Sequence, residues 1–402
     1  MTLVSRHLSP QEWQRLRLAA ACLFGRQQAG RREFWQQLTP EAVKKAFREQ
    51  ARRTHPDLHP QADAEILRLK RERFLRIRES YEVLKEYVIH PAQDLRPSPF
   101  PRPRLIAVGG AKGGIGKSML ATNLGVYLSS QGYQTVMVDL DLGGANLHLY
   151  LGATALPASI NDYLSGAAAS LSDLAWPSRY GPLLIGGDSS KLGSANITFA
   201  AKMRLVKALR DLPADFVVMD LGSDTSFNIL DFFLAADVRL ILTTCEPASY
   251  LEAYNFIKVA LYRRLNRLAA DKNFLPQDKS ALKELIYKAT CGDNGHQVKH
   301  LQELLSQVQR RHPEGLPALK RCLQDYQPHL VVNKVRPEDK VTPVVHRIME
   351  VAAKMLGIRV RFLGALPYSE DIHQSLQTLV PWVAQNPQGP LAHKLADWLQ
   401  KL

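Results

Sequence analysis

The chain has 402 residues, 46% of them hydrophobic and 22% charged, with a formal net charge of +14. That length and balance suit two or three globular domains and exclude a disordered, collagenous or disulfide-stapled chain. No apolar run reaches the roughly 18 residues that span a bilayer, and four cysteines without a Cys-x-x-Cys pair speak for a reducing, cytoplasmic setting.

The basic surplus is concentrated early, since residues 1–104 hold 21 Lys and Arg against 12 Asp and Glu. Either an anionic partner or solvated helix faces would account for it. Within residues 1–90 the pattern predicts an all-α module. One helix covers Pro40 to Arg53, with Thr39 as N-cap and Val43, Ala46 and Phe47 on one face. A longer helix ends near Val88, with Phe74, Ile77, Tyr81, Leu84 and Val88 at spacings of three and four. His55, Pro56 and Asp57 stand between the two helices, and an earlier helix is placed only loosely within Gln11 to Leu38. Prolines at 91, 97, 99, 101 and 103 then fix φ and remove backbone donors, so residues 91–103 read as a linker.

From residue 104 onward, short β-branched runs alternate with helical stretches: Leu105 to Val108, Thr135 to Val138, Phe216 to Met219, Leu240 to Thr243, Leu330 to Val332 and Phe362 to Leu366. This predicts an α/β domain over 104–402, a mostly parallel, doubly wound sheet covered on both faces. Between about 258 and 328 the alternation lapses into polar helices, read as a helical insertion. Its Arg263, Arg264 and Arg267 are the strongest candidates in this domain for contacting nonspecific DNA. The amphipathic helix carrying Leu391, Leu395 and Trp398 is read as core packing rather than as a membrane anchor. His148, His346 and His373 have no metal-ligand spacing and are read as loop or surface residues.

The chemistry concentrates after the first strand. Gly113, Gly114, Ile115, Gly116, Lys117 and Ser118 lead into a helix that continues through Met119, Leu120 and Leu124. Glycines let backbone N–H groups converge on phosphate oxygens at a helix N-terminus. A lysine neutralises the β/γ charge, and a Ser hydroxyl ligates Mg²⁺. The strict phosphate-loop pattern asks for Gly at 111, where this chain has Ala.

The run AKGGIGKS, with Lys112 ahead of two glycines, resembles the deviant Walker A signature of the MinD/ParA ATPases. That resemblance implies ATP and Mg²⁺ as cofactors, slow ATP hydrolysis and an ATP-dependent homodimer in which Lys112 reaches the partner's phosphates. VMVDLDLGGANLHLYLG resembles the family's first switch, which implies that Asp141 orients the attacking water and that Asp139 sits on the Mg²⁺ or lysine side. FVVMDLGSDTS resembles the Walker B strand, with Asp220 holding Mg²⁺, although Asp224 stands where the family has Gly. VVNKVRP and GALPYSEDIHQSL resemble the base-recognition segments, implying contacts from Asn333 and Pro367. The stretch from Phe227 to Lys258 is most similar to the FleN/FlhG flagellar-number branch. That implies a flagellar partner ahead of a chromosome or plasmid partition partner.

The module before the linker resembles a DnaJ-type J-domain, with His55, Pro56 and Asp57 as its loop. Lys44, Lys45, Arg48, Arg52 and Arg53 are the matching basic residues, while Thr54 and Leu58 depart from the pattern. The resemblance implies a DnaK-type chaperone as a further partner and leaves a nucleotide-controlled co-chaperone as the alternative function.

Overall fold

The computed structural model describes residues 10–29, 34–35, 38–54, 64–89, 100–188, 197–270, 279–291 and 300–402. The chain divides into two compact units, Met1–Pro101 with Ser178–Gly181, and Arg102–Pro177 with Pro182–Leu402.

In the first unit the helix Pro10–Phe24 stops at Gly25, whose φ of +90° suits a residue without Cβ. The helix Pro40–Thr54 begins under Thr39, whose hydroxyl accepts from the Ala42 N–H at 3.2 Å, as its sequence predicts. It packs on the helix Ala64–Ile89, where Phe47 stacks on Tyr81 with centroids 4.3 Å apart. Leu16, Leu23, Trp35, Leu38, Val43, Ile77 and Leu84 form the buried core. His55, Pro56 and Asp57 lie outside the described residues.

The second unit holds eight strands: β1 Arg104–Gly109, β2 Thr135–Asp139, β3 Trp176–Pro177, β4 Leu183–Ile185, β5 Phe216–Asp220, β6 Val238–Thr243, β7 His329–Val335 and β8 Arg361–Pro367. Their order is β3-β4-β2-β5-β1-β6-β7-β8, and among the described residues only the β3–β4 pair is antiparallel. This is the doubly wound α/β fold that the alternation predicts. The six predicted runs each form a strand. β3 and β4 are additional, because Leu183–Ile185 spans too few residues to stand out between Gly181 and Gly186. The central strands are apolar without alternation since helices cover both faces; Leu105, Ala107, Val108, Val217 and Val218 have no exposed surface.

The helices between β6 and β7 do not stand apart from the sheet unit. Leu282, Ile286, Leu301, Leu304, Val308 and Leu319 are buried in the same core as the strands, so the polar look of these helices belongs to their outer faces. Leu391, Leu395 and Trp398 of the helix Pro390–Lys401 are also buried, as core packing requires. Among the described residues no helix is long and apolar enough to cross a membrane.

Candidate nucleotide site

The chain winds away from β1 in both directions, with β5 and β2 on one side and β6, β7 and β8 on the other. Ligands of open α/β sheets bind at such a switch point, beyond the carboxyl ends of the strands. The loop 110–116 starts there, and the helix Lys117–Ser130 follows it. The helix seats closely on the sheet because residue 125 is Gly: a Cβ there would lie 2.5 Å from Met137 Sδ.

β7 grips the loop. Asn333 Nδ2 donates to the Ile115 carbonyl at 2.7 Å, and Lys334 Nζ donates to the Gly114 carbonyl at 2.8 Å. In a planar trans peptide the carbonyl and the following N–H point opposite ways, so the N–H groups of Ile115 and Gly116 are directed away from these two side chains. Gly116 adopts a φ of +97°, and a Cβ on it would sit 2.4 Å from Asn333 Nδ2. Both the backbone angle and the close approach therefore demand glycine.

Lys117 is buried and donates to Ser223 Oγ at 2.6 Å and to the Lys112 carbonyl at 3.2 Å. Burial pulls its pKa below the usual lysine range against the charges of Asp220, Asp141 and Asp224. Asp220, at the end of β5, accepts from the Ser118 hydroxyl, while its Oδ1 is buried with no partner. Burial and the neighbouring Asp139 push the Asp220 carboxyl up to about 8. A carboxylate oxygen left unsatisfied beside a hydroxyl suits Mg²⁺, which takes few protein ligands and shares its shell with waters and phosphates.

Asp139 stands beside Asp220 on the neighbouring strand end, and it also braces the loop that follows. Its Oδ2 accepts from the Leu147 N–H at 2.9 Å and its Oδ1 from the Asp141 N–H at 3.2 Å, so both oxygens brace the loop after β2. Burial lifts its pKa to about 7 against the pull of those N–H groups. The braced loop puts Asp141 on the cavity wall among glycines, where a Cβ on Gly144 or Gly222 would come 3.2 or 3.1 Å from its carboxylate. Asp224, the departure from the family pattern, makes a local turn by accepting from the Ser226 N–H at 2.7 Å; Ser226 in turn caps the helix Phe227–Ala235.

A cleft of about 410 Å³ opens here, within the usual range for small-molecule sites; Asp139 and Asp220 are buried and do not line it. Gly114, Gly116, Lys117, Ser118, Met119 and Asp141 line it near β1 and β2, and Asn333 and Pro367 line it near β7 and β8. The sequence reading missed Tyr150, Ser223, Lys334, Tyr368, Ser369 and Ile372, which also line it, as does His373, read there only as a loop or surface residue. All of them lie within the quoted motifs and could have been found there.

Lys112 does not line the cleft; its Nζ is 2.7 Å from Glu246 Oε2 in an exposed pair that holds its pKa above the usual range. The arginines read as DNA contacts are engaged internally. Arg263 donates to Asp231 through Nε and Nη2 at 2.9 and 2.8 Å, Arg267 approaches the same carboxylate at 3.5 Å, and Lys202 Nζ lies 2.5 Å from it. Arg264 donates to the Cys322 carbonyl at 3.2 Å. Burial alone would raise the Asp231 carboxyl, but Arg263 and Lys202 hold it below the usual range. These cations serve packing between helices, which corrects their reading as a DNA-binding face.

A glycine loop on a parallel sheet's switch point, with a buried lysine and an orphaned carboxylate beside it, defines a phosphate-binding nucleotide site. Residues 106–382 match the model of the CobQ/CobB/MinD/ParA nucleotide binding domain, and the chain belongs to that family. It is 28% identical over 158 residues to the antiactivator FleN of Pseudomonas aeruginosa, covering 39% of this chain and 56% of FleN. It is 26% identical over 254 residues to the flagellum site-determining protein YlxH of Helicobacter pylori, covering 61% and 80%. A septum site-determining protein MinD of Tupiella akineta is 28% identical over 178 residues, 42% of this chain and 58% of that protein. The chain thus spans little more than half the length of two of these three relatives. Among solved structures, MinD of Pyrococcus horikoshii complexed with Mg-ADP aligns with a TM-score of 0.49 at 16% identity, covering 74% of this chain and 95% of that one.

Proposed function

We propose that this protein is an ATP-binding and ATP-hydrolysing dimerisation switch of the MinD/ParA type that positions or numbers a cellular structure, flagella ahead of chromosomes or plasmids. The observation that carries this reading is that Lys117 and Ser118 line one cleft, with the buried Asp220 bonded to the Ser118 hydroxyl, while Lys112 is turned out of the cleft onto Glu246. Lys117 and the loop N–H groups neutralise and orient the phosphates, and Asn333 and Pro367 face the base. Ser118 and Asp220 would hold Mg²⁺, which when bound offsets phosphate charge. Asp141 orients the attacking water, so hydrolysis rests on positioning and charge stabilisation. A lysine held outside its own cleft can serve a partner's once it leaves Glu246, which makes the site depend on dimerisation. The names of FleN and YlxH support the flagellar assignment.

Binding and turnover of radiolabelled ATP test this. Lys117→Ala is expected to lose binding, whereas Asp141→Ala binds but does not turn over; wild-type turnover by Asp141→Ala would overturn its role. The packed helix pair around Phe47 and Tyr81 supports the alternative, a J-domain co-chaperone. If it holds, the protein stimulates a DnaK-type ATPase and His55→Gln abolishes the stimulation.

A further inference from the structure

Tyr150 has no part in the roles described so far. It ends the short helix Leu147–Tyr150, and it lines the cleft half-buried. Its backbone is held firmly: Leu147 donates to Asp139, and Leu147 and Leu151 on either side of it have no exposed surface. Among the described residues its hydroxyl has no hydrogen-bond partner.

Sheet order says which end of the cleft Tyr150 serves. The base-side residues come from β7 and β8, on one side of β1, and the glycine loop that cradles phosphate follows β1 itself. Tyr150 follows β2, on the opposite side of β1, where Asp139 of β2 and Asp220 of β5 are register partners. A nucleotide laid from β7 across the loop therefore presents its terminal phosphate, and not its base, to Tyr150. Asp141 lines that end and the buried pair Asp139 and Asp220 closes the strands there, so an incoming phosphate needs neutral or cationic donors. Burial and the charge of Asp220 keep the phenol protonated, hence a donor, at neutral pH.

We infer that the Tyr150 hydroxyl donates a hydrogen bond to the terminal phosphate of bound ATP, making Tyr150 a contact that separates triphosphate from diphosphate. This rests on the nucleotide-site reading above. A hydrogen bond to a charged oxygen is stronger than a neutral one, and its loss lowers affinity about ten- to a hundredfold.

The test compares wild type with Tyr150→Phe, which keeps the ring, by titrating a non-hydrolysable ATP analogue and ADP separately in the presence of Mg²⁺. The variant is expected to bind the triphosphate analogue at least about tenfold more weakly and ADP within twofold of wild type. Equal weakening for both nucleotides, or no weakening for either, would overturn the inference while leaving the site reading intact. Failure of wild type to bind either nucleotide would instead remove the site reading, and this inference with it.

Discussion

The buried pair Asp139 and Asp220 ties the stability of the nucleotide-free protein to pH. Both carboxyls are almost wholly buried at the ends of adjacent strands, and burial raises them from 3.8 to about 7 and about 8. A carboxyl raised in the folded state keeps its proton where the unfolded chain has lost it. Folding therefore takes up protons between pH 4 and 8, and stability falls as pH rises through that window. At 1.36 kcal/mol per unit, one such displacement amounts to at most about 6 kcal/mol. Because charges in real protein interiors are screened far better than in a dry medium, the effective cost at Asp220 is about 2 kcal/mol. Asp220→Asn removes that cost without changing shape. In EDTA and without nucleotide, urea unfolding followed by circular dichroism is expected to show the variant about 2 kcal/mol more stable than wild type at pH 8, the gap closing to within about 0.5 kcal/mol at pH 4. With Mg²⁺ and ATP the order reverses, since only the ionised carboxylate serves the metal. Parallel pH profiles for the two proteins, or a variant less stable at pH 8, would refute the reasoning.

Gly116→Ala forces an L-residue into a left-handed backbone and pushes on Asn333 Nδ2; it should cost about 2–3 kcal/mol in urea unfolding and remove ATP binding. Glu246→Gln frees Lys112 from its partner and should lower the ATP concentration needed to half-form the dimer, which sedimentation velocity would report; an unchanged or raised midpoint contradicts it. Asp231→Ala leaves Lys202 and Arg263 facing an empty buried position and should destabilise the sheet unit by about 3–5 kcal/mol. A urea midpoint shift worth under about 1 kcal/mol would show those cations relaxing to solvent instead.

The glycine loop was legible because its chemistry is local: a strand buried on both faces, then glycines, then a helix, all within one short stretch. What escaped the sequence is non-local. Arg263 and Arg267 read as a basic helix face, since the Asp231 that binds them sits in the otherwise apolar helix Phe227–Ala235. Asn333 was expected at the base, but its amide also clamps the Ile115 carbonyl from a position more than two hundred residues away. Asp139 was expected on the metal or lysine side, and it does pair with Asp220, but that its oxygens also brace the backbone of the following loop was not legible. Tyr150 lay within the quoted first-switch segment but was not singled out, because an aromatic residue in a short helix is ordinarily core; its proposed place on the phosphate side rests on the sheet order.

The switch reading stands on whether ATP joins two chains through Lys112. Light scattering of Asp141→Ala, which retains its nucleotide, measures this directly. The expected mass is that of one chain, 45.1 kDa, without nucleotide and twice that with ATP and Mg²⁺, and the Lys112→Ala, Asp141→Ala double variant stays at one chain under both conditions. A single-chain mass for Asp141→Ala with ATP, or a double variant that dimerises as readily, would contradict the account.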